Sequence, residues 1–177
     1  MVKKHEDLSE EDYEHESASV DGETTHFKTA VTENPAQDYN DLDIDDNTFI
    51  KDCLDAADYF IRTYLSDSNI GNYTPKSLDK LVDQWNSDNA KFKCTQDYFV
   101  YVIGFAFGQY LVKMYNMKWT KVTDEYGTDY ATTIKELKFT NFPINSVLKA
   151  IEEKREGSLN AISLMNKHHI SELLKGD

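Results

Sequence analysis

The segment from Thr95 to Asn116 constrains the fold of this chain more than any other. Phe99, Val102, Ile103, Ala106, Phe107, Tyr110, Leu111 and Met114 recur there at helical spacing, and the apolar positions run nearly all the way round. A helix with no polar face has to be covered on every side, so the pattern predicts a buried central helix wrapped by other elements. Gly104 and Gly108 stand four residues apart on it, a spacing that lets a neighbouring backbone approach closely. A helical glycine costs about 1 kcal/mol against alanine. A packing reason is therefore expected at both, with a hairpin or the first helix lying against the central one.

The flanking sequence supplies the cover. Ile50, Cys53, Leu54, Ala57, Ile61, Tyr64 and Leu65 predict a first helix over about 47–65, with Asp45, Asp46 and Asn47 providing the cap and negative charge at its N-terminus. Thr74 and Pro75 read as N-cap and first residue of a second helix, whose apolar stripe is Leu78, Leu81, Val82 and Trp85. After Asn116 the period changes from 3.6 to two through Met117, Trp119, Lys121 and Thr123. Asp124 to Gly127 forms a turn, and Asp129 to Ile134 returns as the second strand of a hairpin, with a third strand expected through Leu137 and Phe139. Pro143 opens a helix that Gly157 closes, and Ser158 caps a last helix with a break near His168. The fold class is α+β: a helical domain with a central buried helix, a β-hairpin or small antiparallel sheet, and C-terminal helices, spanning residues 47–177 as a single domain.

The order of short motifs along this domain is GFAFG at Gly104 to Gly108, MKW at Met117 to Trp119, TDEYG at Thr123 to Gly127, Phe142-Pro143 opening a helix, and REG at Arg155 to Gly157. In that order and spacing the chain resembles, over about residues 78–165, a bacterial family known as a domain of unknown function, the DUF3806 type. The resemblance implies a compact α+β domain in which a glycine-containing helix precedes a Trp-bearing hairpin. It brings no catalytic residues, and residues 1–46 lie outside it.

Charge divides the chain in two. The 177 residues carry 32 acids against 19 Lys and Arg, a formal charge of −13. Residues 1–47 hold 15 acids against Lys3, Lys4 and Lys28, whereas residues 48–177 hold 17 against 16. Residues 1–46 have few large aliphatic side chains and cannot alone offset their ordering entropy, so they are expected to form a disordered or loosely docked acidic arm. Such an arm repels phosphate backbones, which disfavours nucleic acid as a partner. No run of about 20 apolar residues is present to span a membrane. The basic N-terminal residues are followed by acids and not by an apolar h-region, and Cys53 and Cys94 read as buried thiols, so a cytoplasmic location is expected.

No residue set stands out for catalysis, cofactor binding or metal. Asp41, Asp43 and Asp45 begin like a calcium loop, but Asp46 and Asp52 occupy the positions that need glycine and a bidentate glutamate. His168 and His169 are adjacent, without other ligands at metal-binding spacing, and His5, His15 and His26 lie among carboxylates. Cys53 is flanked by Asp52 and Asp55, which disfavour a thiolate. The chain is therefore expected not to be an enzyme. Tyr13, Phe27 and Tyr39 are interleaved with the arm's carboxylates and, with Asp41, Asp43, Asp45 and Asp46, form the expected partner-binding set. Asp124, Glu125 and Tyr126 at the hairpin tip form a second expected contact. The partner this chemistry fits is a basic protein, and the expected role is an immunity protein or antitoxin that neutralises a toxin such as a nuclease. A housekeeping module with an acidic solubility tail and a hydrolase with an unrecognised carboxylate site are the alternatives, and a homodimer through the hairpin edge remains open.

Overall fold

Residues 8–20, 22–30, 36–66 and 71–175 are described by the structure, a computed structural model. In chain order the elements are β1 (Glu14–Val20), β2 (Glu23–Thr29), β3 (Asp38–Asn40), α1 (Ile44–Leu65), α2 (Pro75–Ser87), α3 (Gln96–Tyr115), β4 (Lys118–Asp124), β5 (Gly127–Ile134), β6 (Phe139–Asn141), α4 (Pro143–Glu152) and α5 (Ser158–Lys175). The expected α+β class holds.

α3 is the central helix. Thr95 caps it by accepting the Tyr98 N–H, and Phe99, Val102, Ile103, Phe105, Phe107 and Leu111 are fully buried along it. The two glycines explain how it is covered. A Cβ on Gly104 would lie 2.8 Å from the Ile144 Cα, so α4 crosses at that point with backbone nearly on backbone. A Cβ on Gly108 would lie 2.1 Å from the Trp119 ring, so the indole of β4 is seated in the space that the missing side chain leaves. At its N-terminal half, α3 meets α1 and α2 through stacked and T-shaped rings: Trp85 and Phe99 have centroids 4.2 Å apart, Phe92 and Phe99 4.9 Å, and Phe60 and Phe92 5.3 Å. Such pairs contribute ~0.5–1.5 kcal/mol each beyond their area burial.

The antiparallel sheet has the order β3-β4-β5-β6. Its register aligns Trp119 with Thr132 and Thr132 with Asn141, which turns the row toward the helices. At the hairpin tip the Asp124 carboxylate accepts the Tyr126 N–H, and Gly127 takes a φ of +136° that other residues rarely adopt. β1 and β2 form a separate hairpin. Glu23 bonds both Lys76 of α2 and Asn160 of α5, tying this hairpin to the domain.

Several boundaries differ from the sequence expectation. α1 begins at Ile44 and not near residue 47, because Asp43 and Asp46 form a reciprocal capping box that sets the cap earlier; Ile44 is 83% exposed and gave no periodic signal. Residues 38–46, placed in the arm by composition, supply the edge strand β3 and the cap of α1. Gly157 does not close α4, which ends at Glu152; Lys154 adopts the left-handed backbone instead, and Gly157 precedes α5. α5 runs unbroken past His168, and Ser158 is its first helical residue rather than its cap. Tyr98 and Tyr101, three residues apart, are exposed on one edge of α3, and Met114 is exposed on another side near its C-terminus, so the cover of α3 is incomplete.

Candidate functional site

The carboxylates of residues 38–46 divide into those that build the fold and those that face outward. Asp43 accepts the Asp46 N–H at 2.8 Å, and Asp46 accepts the Asp43 N–H at 2.9 Å. Asp46 is turned inward: it accepts the Tyr130 hydroxyl at 2.7 Å and pairs with the Lys121 ammonium at 2.6 Å. The Lys121 hydrogen bond, followed by those from Asp43 and Tyr130, outweighs burial and holds the Asp46 carboxyl down at about 2. The same contact raises the Lys121 ammonium, and burial first and Asp46 second push the Tyr130 hydroxyl up. Asp46 thus joins α1 to the sheet and offers little surface to a partner.

The other expected contact residues are scattered. Tyr13 is half-buried, with the Lys28 ammonium 5.8 Å from its ring centroid. Phe27 has its backbone in β2, and its side chain lies outside the described residues. Tyr39 is exposed at the sheet edge, where its hydroxyl bonds Gln37 and Thr140. Asp41 and Asp45 are exposed at the start of α1, while Glu125 and Tyr126 project from the β4–β5 turn. Within the arm, Glu10 pairs with Lys28, which lowers its carboxyl, and Asp12 caps a short turn through Ser9. Glu11, Glu14, Asp38, Asp41 and Asp45 are exposed and carry no ion pair among the described residues.

A second surface was not anticipated. Along α1, Asp45, Phe49 and Asp52 stand at i, i+4 and i+7 on one face; along α3, Asp97 and Tyr101 stand at i and i+4. The rings of Phe49 and Tyr101 meet edge-on at 5.5 Å, and both pack on buried Phe105, at 5.6 and 6.0 Å. Burial first, then Cys53, Cys94 and Asp52, raise the Tyr98 hydroxyl. The result is an exposed aromatic surface spanning two helices and edged by carboxylates.

Asp79 is the least anticipated carboxylate. It is buried on α2, yet its two oxygens accept the N–H groups of Leu159 and Asn160 at 2.9 Å each, so it caps α5 from another helix. Burial outweighs these two bonds and raises its carboxyl above the usual range.

The Cys53 thiol is buried and pushed up to about 11 by burial and by Asp52, so it is a poor nucleophile. Cys94 is half-buried rather than buried as expected, and its thiol is also raised. The ring centroids of His168 and His169 lie 5.9 Å apart with the rings tilted, and burial lowers His169. A groove of about 530 Å³ runs between the C-terminal half of α3 and α5, lined by residues that include Met114, Tyr115, Lys167 and Leu174. The Ser163 hydroxyl at its wall donates to Tyr110 and is engaged with Tyr115. Among the described residues, no group of three or more His, Cys, Asp or Glu is placed to hold a metal ion. Among them also, no helix is long and apolar enough to cross a membrane.

No curated protein matches the chain in sequence. A crystal structure from Bacteroides thetaiotaomicron VPI-5482, at 1.50 Å resolution, is similar in fold, with a TM-score of 0.59 and 12% identity over 89% of this chain and 70% of that one. The segment that carries the glycine helix seated on the Trp119 hairpin, residues 78–162, matches the family described as a domain of unknown function, DUF3806.

Proposed function

We propose that this chain is a protein-binding module, not an enzyme, and that it acts as an immunity protein or antitoxin by docking on a basic toxin such as a nuclease in the cytoplasm. The observation that carries this reading is the division of the acidic residues. Those that shape the fold, Asp43, Asp46 and Asp79, are bonded internally, while Glu11, Glu14, Asp38, Asp41 and Asp45 face outward without ion pairs among the described residues. Outward carboxylates do little for folding, since exposed charges contribute ~0–1 kcal/mol even when paired. They do raise encounter rates with a basic partner, toward ~10⁸ M⁻¹s⁻¹ at low salt. A nuclease exposes a cationic cleft, for which the acidic surface competes with phosphate.

The test is retention followed by inhibition. Basic proteins from the source cells that immobilised full-length chain retains at about physiological salt, where charges are screened beyond ~8 Å, are assayed for nuclease or other toxic activity with and without one equivalent of the chain. A retained protein whose activity is abolished is the expected result. Retention without inhibition, or no retained basic protein, overturns the reading.

A further inference from the structure

We infer that the α1–α3 aromatic surface is a docking site for arginine side chains of a basic protein partner. The inference rests on the protein-binding reading above and deepens it by naming the surface and the side chain it takes. Phe49, Tyr98 and Tyr101 are 36%, 41% and 36% exposed, although all three lie on the two helices that build the core. α3 is buried over most of its length, so this edge is where its apolar surface was left uncovered. Asp45, Asp52 and Asp97 flank the rings, are exposed, and carry no ion pair among the described residues; Lys51 of α1 is already paired with Asp55. Aromatic faces bordered by carboxylates match one side chain better than any other. A guanidinium is planar, stacks on rings, and presents a fork of donors that a carboxylate accepts, whereas an ammonium is a compact, strongly hydrated charge.

Charge also decides between occupants. A second copy of this chain would bring its own Asp45, Asp52 and Asp97 against these three, a like-charge contact. An apolar partner would bury the three carboxylates without counter-charges. A basic segment meets both features of the surface at once.

The experiment titrates full-length protein with acetylated hexa-arginine and hexa-lysine peptides, using calorimetry for affinity and amide chemical shifts for location. Wild type should bind hexa-arginine about threefold or more tightly than hexa-lysine, with shifts centred on Phe49, Asp52 and Tyr101. Combining Asp45→Asn, Asp52→Asn and Asp97→Asn should weaken hexa-arginine about tenfold. Tyr101→Leu, which keeps an apolar contact for Phe49, should remove the preference for arginine. Shift mapping on the wild type needs no substitution and reads the site even where a variant folds poorly. A comparison variant neutralises the arm through Glu11→Gln, Glu14→Gln, Asp38→Asn and Asp41→Asn. Loss of peptide binding in that variant alone overturns the surface assigned here and leaves the basic-partner reading standing. Equal affinity for both peptides, or a homodimer that the triple variant disperses, also overturns the assignment. Absence of binding by either peptide overturns both readings.

Discussion

Replacing Asp79 with alanine tests whether α5 is held by a cap supplied from another helix. The substitution leaves the N–H groups of Leu159 and Asn160 without their acceptor. Leu159 is fully buried, so its N–H bears the whole cost of an unsatisfied group, ~1–3 kcal/mol. Asn160 is half-buried, and water can partly replace the carboxylate there. Against these losses stands the removal of a buried charge, which the raised Asp79 carboxyl shows to be unfavourable. The net expectation is a destabilisation of about 2 kcal/mol, in the range for loss of an N-cap. Asp79→Asn keeps one acceptor but turns an NH₂ toward the second N–H, and should cost about half as much.

Urea denaturation followed by far-UV circular dichroism measures this directly. With a slope of ~1–3 kcal/mol per molar urea, the alanine variant should shift the midpoint by about 1 M. A second arm uses pH. The Asp79 pKa is raised in the folded state, so the folded protein binds that proton more readily than the unfolded chain, and this group stabilises the wild type progressively as pH falls from neutral toward ~4. The gap between wild type and Asp79→Asn should therefore widen in mild acid. An unchanged urea midpoint for Asp79→Ala would refute the capping role. A gap that closes on acidification would refute the claim that burial dominates the environment of this carboxylate.

Three further outcomes follow from the packing and the charges. Gly108→Ala drives a Cβ into the Trp119 ring, and Gly104→Leu drives a larger side chain against the α4 backbone; each should lower stability by ~1–3 kcal/mol despite the better helix propensity of the new residue, with a shifted Trp emission for Gly108→Ala. An unaltered melting temperature would sink the close-packing account. Asp46 has its carboxyl held at about 2, below the unfolded value, so its contribution is full above ~4 and is lost as pH falls through 2. An acid-denaturation profile should therefore show Asp46→Asn less stable than wild type at neutral pH, with the two converging between those limits; parallel profiles would contradict this. Cys94 should react with a thiol reagent in the native state ahead of Cys53, which is fully buried and modified only on unfolding. Equal native rates would show that the α1–α3 interface opens readily.

What the sequence disclosed and what it hid have a common physical origin. α2, α3 and the β4–β5 hairpin were legible because periodicity, Thr74 and Thr95 as caps, and the Asp124–Gly127 turn are signals written within a few residues of the element they specify. The two glycines were legible as a demand for close packing, since their helix penalty needs an offset, yet not as a demand for Ile144 and Trp119 in particular. Asp79 was unreadable because the helix it caps starts 79 residues later, at Ser158, so nothing near either end marks the pairing. The inward role of Asp46 is hidden for the opposite reason: it sits in a run of aspartates that looks like solvated charge, and only Lys121 and Tyr130, brought over by the sheet, turn it inward. The same logic explains the α1–α3 surface. Phe49 and Tyr101 stand outside the apolar stripes that mark α1 and α3, and only the crossing of the two helices brings their rings together. Among the described residues they remain 36% exposed each, and their rings meet each other and buried Phe105. Exposed aromatic rings that pack on one another and on a buried ring are the feature on which the arginine-docking proposal rests, and the peptide titration tests it.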